Sequence, residues 1–118
     1  MKQLFAFLTS TAILWSSHSL AYNPEQLQAL LMTKECFGCD LRGADLTDAE
    51  LSEAYLTYSN MTGAIFIGAD LHDGFLAYGI LPEADLTDAN LTDANLSDAD
   101  LRGAVLVNAT LANATMHG

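Results

Sequence analysis

Two cysteines separated by two residues, Cys36 and Cys39, are the part of this chain best suited to chemistry. The spacing fits a disulfide, a thioredoxin-like redox pair, or half of a zinc site. A redox pair of that kind precedes a helix, whereas here a helix is predicted before the cysteines. A zinc site would need two more ligands, and the mature chain offers only the distant His72 and His117. Haem attachment needs a histidine where Asp40 stands. A disulfide is therefore the preferred interpretation, because the chain is predicted to be exported to an oxidising compartment.

Carboxylates are the other abundant chemical group. The chain has fifteen Asp and Glu against four Lys and Arg, a formal net charge of −11. This balance disfavours nucleic-acid binding, which relies on Lys and Arg to neutralise phosphates. Some carboxylates recur at the same position of successive coils, as Glu53, Asp73 and Asp93 do every twenty residues, and Asp48 and Asp88 share a position two coils apart. Such ladders could bind calcium, but no bidentate loop pattern accompanies them, so solvated acidic edges are preferred and no metal or cofactor is predicted.

Patterns of catalysis are missing from the sequence. It has no Ser/His/Asp grouping, no glycine-rich phosphate loop and no metal motif. We therefore predict no catalytic residues and no enzymatic activity.

A five-residue repeat over residues 39–118 must position all these groups. A small residue, usually alanine, lies two positions before each large apolar residue, and the unit recurs sixteen times without a gap. An α-helix would spread the large residues around its surface, and a flat strand would place them on alternate faces. Only a chain that bends once per repeat points them all to one axis, which predicts a solenoid. The large residues are Leu41, Leu46, Leu51, Leu56, Met61, Phe66, Leu71, Leu76, Leu81, Leu86, Leu91, Leu96, Leu101, Leu106, Leu111 and Met116.

The run Ala84-Asp85-Leu86-Thr87-Asp88, with the two units that follow it, resembles the signature of pentapeptide repeat proteins. The resemblance covers residues 39–118. It implies an all-β fold, a right-handed quadrilateral parallel β-helix with four repeats per coil. Residues 39–118 would then make four coils, a tower of about 19 Å at the usual spacing between strands.

Residues 1–21 predict a secretory signal peptide. Lys2 gives a positive start, residues 4–15 an apolar stretch of about a dozen, and residues 19–21 a small-X-small cleavage site. The apolar stretch is short for a bilayer span, although an uncleaved anchor is the alternative. Cleavage would leave a chain that begins at Tyr22, without a predicted membrane span, and the loss of Lys2 would change the charge from −11 to −12.

Residues 22–38 are predicted to form a cap on the solenoid. Asn23 suits a helix N-cap, Pro24 the first helical position and Glu25 the first turn, and the helix is expected to run to about Glu35. Its apolar stripe should cover the first inward leucines of the solenoid, since a solenoid end needs a cover. The stripe consists of Leu27, Leu30 and Leu31. This helix, followed by the two cysteines, is similar to the lead-in of exported cyanobacterial and chloroplast-lumen pentapeptide proteins, which implies periplasm or thylakoid lumen.

Breaks in the repeat give candidate binding residues. At twenty residues per coil, Tyr55 stacks beside Phe75 and Tyr58 beside Tyr78, with Ile80 just past the corner. These outward sites carry Asp, Asn, Ser or Thr in most repeats. The aromatic residues either form a partner-binding patch or only stabilise the stacked strands, and the sequence leaves both open. A second outward apolar group consists of Ile65, Ile67, Val105 and Val107.

Together these features predict an exported, non-catalytic structural or interaction module whose protein partner is unknown. One alternative is an acidic DNA mimic that occupies a type II topoisomerase, as the resemblance allows. Another is a redox accessory protein that uses Cys36 and Cys39. After Arg102 the sequence has no charged residue apart from its histidine, and an uncharged β edge favours pairing with another chain. The sequence therefore also predicts a weak homodimer through the C-terminal coil.

Overall fold

The computed structural model describes residues 21–118, so the predicted signal peptide lies outside the described residues except for Ala21. The described chain begins with one α-helix, α1 (Pro24–Thr33). Isolated parallel β-bridges follow, from Glu35 to Thr115. No helix in residues 21–118 is both long enough and apolar enough to cross a membrane.

Helix α1 begins where the sequence predicts and ends slightly earlier. The side chain of Asn23 accepts hydrogen bonds from the N–H groups of Glu25 and Gln26, at 2.9 and 3.1 Å. The helix ends because Lys34 adopts a left-handed conformation with φ of 64° and donates its N–H to Leu30. The prediction that it runs to about Glu35 is therefore wrong by two residues, since Glu35 already pairs with Tyr55.

Thirteen parallel bridges each connect two residues that are twenty apart, beginning with Glu35 and Tyr55. They fall into four columns, and we name the faces by the first residue of each column. The first face begins at Asp40, the second at Asp45, the third at Glu50 and the fourth at Glu35. Each turn of the chain thus takes twenty residues, and vertical neighbours are the residues that the repeat predicts.

Pairing starts at Glu35, four residues before the predicted start of the solenoid at Cys39. Cys36 lies at the position that leucine occupies in later repeats, and it is buried. A search for large apolar residues misses a cysteine at this position, although a cysteine behaves as a small apolar residue in a protein interior. The first repeat of the solenoid is therefore the one that carries the cysteine pair.

The interior is a stack of large and small apolar side chains. Leu41, Leu51 and Phe66 are fully buried, and so are most of the alanines at small positions nearby, Ala44, Ala54 and Ala64, whereas Ala49 is partly buried. Each repeat from Leu41 to Leu111 closes with a hydrogen bond such as that from the N–H of Ala44 to the carbonyl of Leu41, at 3.1 Å. The inward position predicted for Phe66 is confirmed by its burial.

The apolar stripe of α1 is narrower than predicted. Leu30 is fully buried and Leu27 packs against the interior, whereas Leu31 is half exposed. Leu31 follows Leu30 by one residue, which turns it about 100° around the helix axis and away from the solenoid.

Helix α1 and its N-cap residue also form hydrogen bonds with the backbone of the first turn of the solenoid. The side-chain carbonyl of Gln26 accepts the N–H of Asp40 at 2.7 Å, and the N–H of Asn23 donates to the carbonyl of Asp40 at 2.8 Å. One turn later, the N–H of Asn60 donates instead to the backbone carbonyl of Cys39. Asn23 and Gln26 thus replace the hydrogen bonds that a preceding strand would make.

The polar residues of the signature stabilise the bends. Oδ1 of Asp45 accepts the N–H of Thr47 at 3.1 Å and its hydroxyl at 2.6 Å. Such side-chain turns favour Asp or Asn before the leucine and Thr or Ser after it. The same pair of bonds forms at Asn60 and Thr62, Asp85 and Thr87, Asn90 and Thr92, and Asn95 and Ser97.

The last turn is the least buried part of the stack. Leu101, Leu106 and Leu111 are only partly buried, and Met116 is half exposed. The weak homodimer through this turn stays a prediction.

We expect Phe66→Ala to lower the free energy of unfolding by about 3–5 kcal/mol, because a large side chain leaves a cavity in a packed interior. Urea denaturation of the mature chain measures the change. Val107→Ala is the control, because Val107 is 57% exposed, and surface changes usually stay within about 0.5 kcal/mol. Equal losses in the two variants would contradict the inward position of Phe66.

Candidate functional site

The predicted aromatic residues form two stacked columns on the fourth face. The rings of Tyr55 and Phe75 lie 4.7 Å apart at an interplanar angle of 6°. The rings of Tyr58 and Tyr78 lie 4.8 Å apart at 5°. The structure therefore brings the four residues that the sequence selected together as two pairs of vertical neighbours.

These columns lie at the surface. Tyr55 and Tyr58 are 50% and 53% exposed, and Phe75 and Tyr78 are 40% and 47% exposed. Ile80 continues the apolar surface past the corner at 40% exposed. We call Tyr55, Tyr58, Phe75 and Tyr78 the aromatic patch.

Phe37 extends this surface, and sequence reasoning missed it. Its ring meets Tyr58 edge-on, with centroids 5.5 Å apart, and it is 71% exposed. Residue 37 precedes Thr57 by twenty, so the repeat itself would have placed it on the fourth face. It was overlooked because the solenoid was predicted to begin at Cys39.

The backbone conformation of Tyr58 and Tyr78 is unusual for tyrosine. Both lie at bends with φ of 63° and 60°, in the left-handed region. Gly, Asp or Asn occupies most of the equivalent bends, for example Gly43 and Asp48. Bulky residues are rare in this region, and such strain costs of order 1–3 kcal/mol per residue. The two tyrosines are therefore not the residues that the bends themselves favour.

The other column also lacks the usual stabilisation of the bend. Tyr55 and Phe75 occupy the position where Asp or Asn normally accepts two hydrogen bonds from the residue after the leucine. Thr57 instead donates its hydroxyl to the carbonyl of Phe75 at 3.3 Å, and Ala77 has no hydroxyl. The aromatic patch thus replaces side chains that would hold these bends.

The second outward apolar group does not form a continuous surface. Ile65 and Ile67 are partly buried on the second face, whereas Val105 and Val107 are 41% and 57% exposed. Asp85 lies between Ile65 and Val105 in the same column, because it pairs with both. This group is weaker than the aromatic patch as a binding surface.

Cys36 and Cys39 form a disulfide at the first turn, with their Cα atoms 5.3 Å apart. Ser59, the vertical neighbour of Cys39, bridges the two ends of the short bend from Cys36 to Cys39. Its hydroxyl donates to the carbonyl of Cys36 at 2.5 Å and accepts the N–H of Cys39 at 3.0 Å. In other repeats that N–H binds the carbonyl directly, as at Ala44. This explains why the buried Ser59 replaces alanine at a small position.

The sulfurs are poorly placed for redox chemistry. Cys36 is 2% exposed and Cys39 is 7% exposed. Thiol–disulfide exchange needs a thiolate to approach one sulfur, and burial prevents that approach. The geometry favours a structural disulfide that holds the turn after α1.

The charges around the aromatic patch are acidic. Glu53 and Asp73 lie two residues before Tyr55 and Phe75, and Asp98 follows Tyr78 in the same column of bends. Interaction with the Asp98 carboxylate raises the pKa of Tyr78, as the neighbouring Tyr58 and a hydrogen bond to Asp98 also do. The phenol therefore stays neutral at physiological pH and lies beside a negative charge.

The cations in residues 21–118 are bound elsewhere. Arg42 and Arg102 form ion pairs on the first face, with Asp40 at 2.8 Å and Asp100 at 2.6 Å. The hydrogen bond from Arg102 lowers the pKa of Asp100 to about 2. Nζ of Lys34 donates to the hydroxyl of Ser52 at 3.1 Å, toward the third face. Neither arginine nor Lys34 thus pairs with the acidic residues that border the fourth face.

His72 lies within the acidic ladder of the third face. Its Nδ1 is 2.7 Å from Oδ1 of Asp70, and its Nε2 is 3.7 Å from Oδ2 of Asp73. The hydrogen bond with Asp70 raises the pKa of His72 above its ordinary value, and the negative charges of Asp70, Asp73 and Glu53 add to it. Neither here nor at any other point of residues 21–118 do three or more His, Cys, Asp and Glu side chains converge in a way that suits a metal ion.

We expect the mature protein to contain no free thiol, because Cys36 and Cys39 are bonded. Alkylation without reductant should add no mass, and alkylation after reduction in denaturant should add two groups. The double variant Cys36→Ser, Cys39→Ser should lose about 2 kcal/mol of stability, as expected for closing so short a loop. Two thiols that react in the unreduced, exported protein would overturn this prediction.

We also expect NMR titration to give His72 a pKa above the ordinary 6.5, because its cation is favoured in the folded protein. Its contribution to stability should be complete below about pH 6.5 and should disappear as the pH rises through the folded pKa. Asp70→Asn should return the pKa toward its ordinary value, and Asp73→Asn should lower it less. A pKa that does not respond to Asp70→Asn would show that the contact is absent in solution.

Comparison with known proteins agrees with this geometry. The family model for pentapeptide repeats matches residues 35–73 and 77–118, in eight copies. The match begins at Glu35, where the structure also begins to pair. No curated protein matches the chain.

Solved structures that resemble the chain are pentapeptide repeat proteins. One from the cyanobacterium Cyanothece 51142 is 26% identical with a TM-score of 0.59, over 80% of this chain and 91% of that one. One from the Arabidopsis thaliana thylakoid lumen is 27% identical with a TM-score of 0.40, over 69% of this chain and 61% of that one. One from Nostoc Pcc 7120 is 27% identical with a TM-score of 0.43, over 72% and 75%. Because the family model covers most of the residues, the chain belongs to the pentapeptide repeat family.

Proposed function

We propose that this chain is an exported, non-catalytic interaction module that binds a protein partner through the aromatic patch. The observation that carries the proposal is the exposure of four stacked aromatic rings at positions where the repeat favours small polar residues. Clustered exposed aromatic residues are typical of interfaces, because they bury much apolar area and lose little conformational entropy.

The alternative role of the rings, to stabilise stacked strands, accounts for less of the geometry. Stacking of Tyr58 on Tyr78 offsets part of the strain of two left-handed tyrosines, but a glycine or asparagine would avoid that strain. Phe37 contacts the column only through an edge and is the most exposed of the aromatic residues on this face. A purely structural ladder gives no reason for that exposure.

The finer architecture that we propose is a right-handed quadrilateral β-helix closed at its first end by α1. The four columns of parallel bridges support the four-sided cross-section. The buried Leu30 and the hydrogen bonds of Asn23 and Gln26 to Asp40 support the capping role. Right-handedness is the arrangement typical of the family to which the chain belongs.

The proposed location is an oxidising compartment outside the cytoplasm, periplasm or thylakoid lumen. The signal-like pattern of residues 1–21 supports export. The disulfide between Cys36 and Cys39 supports an oxidising environment. We infer no membrane span once the signal is cleaved. The burial of both sulfurs weighs against the redox alternative, and no described contact favours the topoisomerase-binding alternative.

We expect replacement of the aromatic patch to abolish partner binding while the fold persists. The variant carries Asn at Tyr55, Tyr58, Phe75 and Tyr78, a residue that suits both the side-chain turns and the left-handed bends. Immobilised mature chain would capture partners from the compartment where it resides, and mass spectrometry would compare recovery between wild type and variant.

The matched control is Ile65→Asn with Ile67→Thr, which removes two apolar residues from the second face. This control should recover the same partner as the wild type. Circular dichroism must show the same melting transition for both variants within a few degrees. Unchanged recovery by the patch variant would leave only the structural role of the rings.

A further inference from the structure

A cavity of about 500 Å³ opens on the fourth face at the N-terminal end of the aromatic patch. It is lined by Glu35, Cys36, Phe37, Cys39 and Tyr55. Its volume lies within the range of small-ligand sites. The lining combines two aromatic side chains, one carboxylate and the disulfide.

The ring of Tyr55 offers one free face to this cavity. Phe75 covers the opposite face at 4.7 Å. The vertical neighbour on the cavity side is Glu35, and no other aromatic ring stacks on Tyr55 within residues 21–118. The face of an aromatic ring carries partial negative charge and attracts cations.

The carboxylate of Glu35 has no cation partner in the described part of the chain. Glu35 is exposed and takes part in none of the ion pairs there. Its neighbour Lys34 points to Ser52, and both arginines are paired on the first face. An aromatic face and an unpaired carboxylate thus line the same cavity.

We propose that this cavity binds the charged end of an arginine or lysine side chain from a partner protein. The proposal rests on the proposed function and defines the chemistry of the partner, a basic segment that docks on the fourth face. The cation lies over the face of Tyr55 that carries no stacked ring, Glu35 balances its charge, and the exposed Phe37 packs against its apolar stem. Arginine fits better than lysine, because its planar guanidinium stacks on a ring and sheds water more easily.

The surroundings favour the same partner. Glu53, Asp73 and Asp98 border the fourth face, and the chain carries a net charge of −11. Such a field attracts a basic segment and disfavours an acidic one. The aromatic patch then packs against the apolar residues that flank the docked cation.

The test uses a blocked peptide, Gly-Gly-Arg-Gly-Gly, and its citrulline counterpart, which has the same shape without the charge. Each is titrated into the mature chain at about 0.15 M salt, where distant charges are largely screened. NMR shifts should map to Glu35, Phe37 and Tyr55. The arginine peptide should bind about threefold to thirtyfold more tightly than the citrulline peptide, the range that cation–π energies imply.

Substitutions separate the cavity from general charge attraction. Glu35→Gln should weaken arginine binding severalfold, whereas the control Glu53→Gln, the same change outside the cavity lining, should leave it nearly unchanged. Tyr55→Leu should abolish the preference for arginine over citrulline, and Tyr55→Phe should keep it. Glu35→Gln removes no packed side chain, so it stays informative if Tyr55→Leu unfolds the first turn.

Three outcomes would overturn the cation site: equal affinity for the two peptides, equal weakening by Glu35→Gln and Glu53→Gln, or shifts spread over all acidic faces. If the patch variant loses its partner while the arginine peptide shows no preference, the proposed function holds and the cation site fails. If the arginine peptide binds as expected while the patch variant, which lacks Tyr55, still recovers its partner, the cavity binds a cation that the partner does not supply, and the proposed function fails.

Discussion

The rest of the structure depends on one constraint, the parallel pairing of each residue with the residue twenty positions later. Backbone bonds such as that from the N–H of Leu46 to the carbonyl of Ile65 link successive turns. Pairing at a fixed interval stacks large residues on large ones, and Leu46, Phe66 and Leu86 form one such inward column. The same interval acts at the surface, because any residue on an outward position is stacked on its counterpart one turn away. Two aromatic residues twenty apart therefore create a surface feature without any change in the fold.

The bends decide which outward residues come at low free-energy cost. Asp or Asn before the leucine holds the bend by accepting two bonds from the residue after it, as Asp45 does from Thr47. A left-handed residue two positions after the leucine favours Gly, Asp or Asn. Tyr55 cannot accept the two hydrogen bonds that Asp or Asn accepts at its position. Tyr58 adopts the left-handed conformation, which is strained for a tyrosine. The fourth face therefore departs from local preference in two independent ways, and such departures are expected where a surface has a function.

The register of the solenoid could be predicted from the sequence because a strict period fixes every vertical neighbour. That includes the inward Phe66 and the stacking of Tyr55 on Phe75. The beginning could not be predicted in the same way, since Cys36 fills a leucine position and its size hides it from the pattern. Phe37 was missed for the same reason, because it lies before the predicted start of the solenoid. Leu31 was misassigned because three apolar residues on a helix define a stripe wider than the surface that the solenoid offers. The cavity could not be predicted from residue spacing, because its existence depends on the positions of individual atoms.

The first turn shows how the proposed cap and the proposed binding surface depend on one another. Phe37 lies between the two bonded cysteines, so the disulfide restricts the turn that carries its ring. Ser59 forms hydrogen bonds with both ends of the bend between the cysteines. The side chain of Gln26 accepts the N–H of Asp40, the next residue. Without these bonds, the backbone that carries the exposed Phe37 would lose conformational entropy on binding. Because the bonds around it are made within the free chain, part of that ordering precedes any contact with a partner, which is how preorganisation raises affinity.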